Sequence, residues 1–152
     1  MPISQDVVYW SVVEQAKAIK EGEFTSRELL ELTIERIELI NPELNAVVTT
    51  DLDLARKLAD EADAKLKAGS VVGPLHGIPI TVKDALETTG IRSTGGATEL
   101  HNYVPDRDAP VVKAVKDAGA IVLGKTNLPR WSGDIQAYND MFGTTVNPWN
   151  SD

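Results

Sequence analysis

A lysine beside an aspartate, Lys83-Asp84, ends a segment whose residue types are ordered for chemistry. Ile78, Ile80 and Val82 alternate with Pro79, Thr81 and Lys83, the period of a half-buried strand. Gly73-Pro74 and Gly77 supply the turns before it, glycine by reaching positive φ and proline by fixing its own. Such a strand delivers Lys83 at its C-terminal end, where α/β folds commonly place chemistry. A lysine stripped of water there loses its charge and becomes a base. The plainer reading is a surface lysine paired with Asp84, and residue types alone favour that reading. A basic Lys83 has to be buried away from carboxylates, which would hold its proton in place. Strand alternation helps, because it turns Asp84 to the opposite side. Thr94, Gly95 and Gly96 are weaker candidates for substrate contact, in a Thr/Ser/Gly-rich loop over 88–98. A flexible loop of that kind suits a pocket rim or an ordinary connection.

Two other patterns carry less. Gly119 to Thr126 formally matches the phosphate-loop spacing Gly-x4-Gly-Lys-Thr. A phosphate loop follows a strand and opens a helix, whereas here the intervening Ala-Ile-Val-Leu is itself a strand. His76 and His101 are the only histidines, and with no cysteine they form no metal-ligand spacing. His76 reads as bonded to local backbone and His101 as a surface residue; no metal site is expected.

The elements that position Lys83 follow from periodicity. A first helix is predicted over about 4–20, then a second opening on the capping box Thr25-Ser26-Arg27-Glu28 and stopping at Asn41-Pro42. Ala46 to Thr50 is a short strand candidate. A third helix, capped by Asp51 or Asp53, turns Ala55, Ala59 and Ala62 inward and stops at Gly69. After the Lys83 strand, Asp108 and Pro110 announce a helix closed by Gly119. Ala120 to Leu123 is a continuous apolar run, read as a buried parallel strand reached by a crossover from the Lys83 strand. The tail from Asp134 lacks periodicity and is expected to need a partner, with Trp149 wanting burial. The fold class is α/β: N-terminal helices over 1–69, then over 70–152 part of a mixed, largely parallel sheet covered by helices.

Composition sets outer bounds. The 152 residues fit one domain, with 42% hydrophobic and 25% charged residues. A net charge of −8 argues against a nucleic-acid backbone binder. Zero cysteines exclude disulfides and thiolate metal sites and fit a reducing compartment. No leader-like segment or membrane-length apolar run is visible, so a cytoplasmic location away from membranes is expected.

Four blocks together resemble the amidase signature enzymes: Gly73-Pro-Leu-His-Gly-Ile-Pro-Ile-Thr-Val-Lys-Asp84, Asp108-Ala-Pro-Val-Val112, Ala118 to Asn127, and Asn147-Pro-Trp149. With the helical lead-in, the resemblance covers nearly the whole chain. It implies that Lys83 is the base of a serine–cis-serine–lysine triad acting on carboxamides, without metal or organic cofactor. The family's two serines lie in and after a Gly/Ser-rich segment with no counterpart here. The chain thus looks like the first third of an amidase, supplying Lys83 and inactive alone. The implied partners are the serine-bearing remainder and a small-molecule amide; a homo-oligomer stays open. Lys125-Thr126-Asn127 is similar to the family's structural turn after its strand, where Arg130 replaces a frequent acidic residue. Two alternatives remain: the transamidating component of an aminoacyl-tRNA amidotransferase, and a non-catalytic scaffold retaining the fold.

Overall fold

Capping chemistry places the N-terminal helices. The structure, a computed structural model, describes residues 3–150, so the span 1–152 read from sequence extends beyond the described residues at both ends. Instead of one helix over 4–20 there is a 3-10 turn, Gln5–Tyr9, and a separate helix α1, Val12–Glu21. The break has a cause. Ser11 caps α1, its amide donating to Glu14 Oε2 at 2.7 Å while its hydroxyl accepts from Glu14 N–H. Helix α2, Ser26–Leu44, opens on the expected box, with Thr25 N–H donating to Glu28 Oε2 at 2.8 Å. It runs through Asn41-Pro42 instead of stopping there. Pro42 sits in the last turn, so the hydrogen bond it removes and the kink it favours fall at the very end of the helix and leave its body intact. Helix α3 spans Leu52–Lys67, and Gly69 follows it at φ 71° as predicted.

The chain divides into two compact units that interleave in sequence. The first takes residues up to Arg36, Leu52–Ile80 and Ala114–Leu123. Its core gathers Val7, Ile19, Phe24, Leu29, Leu32 and Ile78. Asp63 accepts from the amides of Ser26 and Arg27 at 2.7 and 3.1 Å, satisfying donors that the start of α2 leaves open. Glu31 receives Arg27 at 2.7 Å and Arg56 at 2.9 Å. His76 meets backbone as expected, Nε2 lying 3.0 Å from Ala62 O. Gly119, at φ 100°, faces the His76 backbone so closely that a Cβ would stand 2.7 Å from its Cα.

The second unit takes Ile37–Asp51, Thr81–Lys113 and the residues from Gly124 on. The three-stranded sheet has the order β1-β3-β2, with β1 Val47–Thr50, β2 Pro79–Lys83 and β3 Ile121–Thr126. Ile121 N–H donates to Ile78 O and Asp84 N–H to Thr126 O, so β2 and β3 advance in the same direction. Helix α4, Pro110–Asp117, makes the crossover between these parallel strands. β1 joins β3 antiparallel, pairing Val47 with Thr126 and Thr50 with Gly124. The edge position of β2 is what lets Pro79 open it.

β3 is longer than the apolar run predicted. Gly124, Lys125 and Thr126 continue the strand rather than forming a turn, and every residue from Ile121 to Lys125 is buried. Gly124 has to be small, since a Cβ there would stand 2.5 Å from Thr49 O. The tail also folds further than its composition predicts, into a hairpin of β4 Tyr138–Asn139 and β5 Gly143–Thr144. Asn139 Nδ2 donates to Asn127 Oδ1 at 2.8 Å and to Leu128 O at 2.9 Å, fixing the hairpin from inside. Trp149 remains 93% exposed. Among the described residues no helix is long and apolar enough to cross a membrane.

Two outcomes test this packing. Gly119→Ala should cost about 3 kcal/mol, through a left-handed φ and a backbone clash together. Gly22→Ala, left-handed but with open space around it, should cost only about 1 kcal/mol; urea midpoints decide. Arg56 first, then Arg27, holds the Glu31 carboxyl below its ordinary range. Its folded pKa thus lies under the unfolded value of about 4.3, so its stabilisation is present above that pH and lost as pH falls through the folded value. Glu31→Gln should therefore lose less stability between pH 7 and pH 3 than the parent chain. The difference should be about 0.5 kcal/mol, because the site is about a third exposed.

Candidate active site

β2 carries Lys83 to its C-terminal end, as its alternation requires. Thr81 and Lys83 share an exposed face, and Asp84 is turned inward at 1% exposure. The burial expected of Lys83 is therefore absent in this chain. The reason lies in the sheet: β2 is an edge strand, and alternation leaves this face to solvent. The expected separation of Lys83 from Asp84 does hold. Asp84 Oδ2 accepts from Thr94 N–H at 3.0 Å and from Thr94 Oγ1 at 2.5 Å. Asp84 O accepts from Gly95 N–H at 3.1 Å. The carboxylate ties down backbone rather than pairing with its neighbour.

The loop that follows is pinned rather than flexible. Ser93 through Ala97 are all buried. Thr94 gives its hydroxyl proton to Asp84, and its oxygen accepts from Gly96 N–H at 3.1 Å. Gly95, at φ 61°, lies under the Trp131 ring, where a Cβ would meet Trp131 at 2.9 Å. Gly96, at φ 69°, packs against Arg130 and Asn139. Of the three loop candidates, Gly95 lines a cleft of about 710 Å³ beside Asp84, Ser93, Tyr103, Arg107 and Trp131. Gly96 lines a separate, smaller one, and Thr94 is occupied beneath the surface.

Two residues at this site escape a reading of the sequence. Lys125, placed there in a turn, is fully buried in β3. Its Nζ donates to Leu86 O at 2.5 Å and to Ser93 Oγ at 2.7 Å, and stands 3.9 Å from Asp84 Oδ1. The available signal is position: a lysine continuing a fully apolar central strand has nowhere to go but inside. Trp131 is the other. Trp131 and Ser132 take φ of 54° and 58°, a left-handed pair of non-glycine residues that no composition rule announces. Trp131 N–H donates to Gly95 O at 2.8 Å, and the residue stays 57% exposed at the cleft.

Charge around the cleft is largely paired. Tyr103 donates to Glu87 Oε1 at 2.6 Å, and with Arg107 it holds that carboxyl below its ordinary range. The negative Glu87 in turn pushes the Tyr103 phenol up. His101 is exposed, as predicted, and no group of histidine and carboxylate side chains among the described residues could hold a metal.

Comparison with known proteins supplies a family. The profile described as Amidase matches residues 28–152. The chain is 40% identical over 144 residues to a glutamyl-tRNA(Gln) amidotransferase subunit of Carboxydothermus hydrogenoformans, covering 95% of this chain and 30% of that protein. It is also 40% identical over 143 residues to indoleacetamide hydrolase of Bradyrhizobium diazoefficiens, covering 94% of this chain and 27% of that protein. The solved native peptide amidase of Stenotrophomonas maltophilia superposes with a TM-score of 0.88 at 33% identity, over 97% of this chain and 31% of the other. The chain thus spans about 30% of the length of the curated relatives it matches.

Thr94→Val keeps the side-chain shape but leaves the buried Asp84 carboxylate and the Gly96 amide each short of a partner. It should cost about 2–3 kcal/mol, the range for hydrogen bonds to charged groups. In urea the midpoint should fall at an unchanged slope, and Thr94→Ser should recover most of the loss.

Proposed function

The chain belongs to the amidase family, and from that premise we propose that it is the lysine-bearing part of an enzyme cleaving the C–N bond of a carboxamide. The observation that carries this reading is the placement of Lys83. The ordered block of residues 73–84 becomes a strand that ends on this amine, with the adjacent carboxylate turned inward and engaged elsewhere. An amine free of a neighbouring carboxylate can be held neutral once desolvated, and the desolvation is supplied by a serine-bearing partner segment closing over the exposed face.

In the proposed reaction Lys83 takes a proton from a bridging serine, which takes one from the nucleophilic serine. The nucleophile's oxygen attacks the carbonyl carbon to form a tetrahedral intermediate. The C–N bond breaks as the nitrogen receives the proton, and ammonia or an amine leaves. Water, deprotonated along the same route, then cleaves the acyl-serine ester to the free acid. Both serines and the oxyanion donors belong to the partner segment, so the 152-residue chain is inactive alone. The cellular setting that goes with this reading is the cytoplasm.

The match to an amidotransferase component keeps a transamidating role as the second reading. Equal identity to indoleacetamide hydrolase prevents sequence likeness from separating the two. The net charge of −8 weighs against direct contact with tRNA, which favours simple hydrolysis.

In the enzyme assembled with its serine-bearing remainder, Lys83→Ala should lower kcat by about a thousandfold, the loss of a general base. Ammonia release from phenylacetamide is the assay. Activity retained by Lys83→Ala would remove Lys83 from the chemistry, and activity in the 152-residue chain alone would remove the need for a partner segment.

A further inference from the structure

The proposed chemistry leaves Lys125 without a role, yet it is among the largest fully buried side chains of the chain. A buried ammonium is costly unless several acceptors satisfy it. Here the acceptors cluster around the first turn after Lys83. Leu86 N–H donates to the carbonyl of Lys83 itself at 3.0 Å, and the carbonyl of Leu86 accepts from Lys125 Nζ. Asp84 N–H donates to Thr126 O, one residue beyond Lys125. The backbone of Lys83 is thus bracketed by a turn that Lys125 holds from below.

The contact between Lys125 and Ser93 is not a second nucleophile and base. The Asp84 carboxylate lies 3.9 Å from the ammonium, and the Ser93 hydroxyl donates to Ile91 O at 3.0 Å while accepting from Lys125. Ser93 passes on the ammonium's donation; it is not activated by it.

We propose that Lys125 is a positioning residue for Lys83, fixing the turn through Leu86 O, Ser93 Oγ and the Asp84 carboxylate so that the Lys83 amine leaves β2 in one direction. The inference rests on Lys83 being the base. Lys125 touches no reacting atom; it acts through the backbone that Lys83 is attached to.

The test uses the complete enzyme assembled with its serine-bearing remainder and phenylacetamide as probe. Lys125→Met should lower kcat per folded enzyme by about 100-fold, the scale of a misplacement near 1 Å. KM should stay within about threefold, because ground-state binding is untouched. Removing the ammonium while the Asp84 carboxylate remains makes the surroundings of Lys83 more negative, so the acid limb of the kcat profile should also move to higher pH. A merely structural role would lower the folded fraction and leave both readings in place. Ser93→Ala, which removes one acceptor without opening a large cavity, gives an independent reading if Lys125→Met fails to fold. It should lower kcat by about tenfold with KM again unchanged. Unchanged kcat per folded enzyme in the folded variants would overturn the proposal. If Lys83→Ala is inactive while these variants are not, only the positioning role fails; if Lys83→Ala keeps its activity, the assignment of the base fails first.

Discussion

A charged amine with no access to water governs the sheet end of this protein. Lys125 is 0% exposed on the central strand, and a lone ammonium there would be prohibitive. The surrounding chain answers with a serine hydroxyl, a peptide carbonyl and a carboxylate. Each of these has consequences of its own. Asp84 has to be buried to face Lys125, and a buried carboxylate has to be bonded, which recruits Thr94. Recruiting Thr94 brings Gly95 and Gly96 into left-handed conformations beneath Trp131 and Arg130. One buried charge thus explains why a loop of small polar residues is ordered.

The same constraint separates two neighbours in sequence. Lys83 and Asp84 point opposite ways because strand alternation demands it, and the burial of Asp84 makes the choice of faces irreversible. Were the register shifted by one residue, a carboxylate would occupy the exposed face and a lysine the interior beside Lys125. The fold therefore offers one amine on an open surface and keeps the adjacent acid out of reach. Under the proposed reaction that exposed amine is the base, and the cleft beside Gly95 and Trp131 lies on the same unit.

Much of this was legible in residue types. The capping box at Thr25, the alanine face of α3, the alternating strand before Lys83 and the crossover through α4 all follow from period and punctuation. Some boundaries were not. Ser11 divides the first helix because its hydroxyl and Glu14 can cap locally, a competition that a count of apolar residues does not register. Pro42 reads as a stop, yet in a last turn it is tolerated. Lys125 reads as part of a turn because Lys125-Thr126-Asn127 is similar to the family's structural turn, and only the tertiary position of Asp84 and Ser93 makes its burial tenable. Trp131 carries a backbone conformation that its side chain does not favour, so tertiary contacts with Gly95 decide it.

Amide hydrogen exchange in the 152-residue chain tests the buried anchor most directly. The amides of Thr94, Gly95 and Gly96 donate to Asp84 Oδ2, Asp84 O and Thr94 Oγ1 respectively. If the Lys125–Asp84 anchor orders this loop, these amides exchange as slowly as those of β3. Exchange at the rate of an open, solvent-exposed loop would contradict the account, because the buried Asp84 carboxylate would then not be ordering the loop beside Lys83.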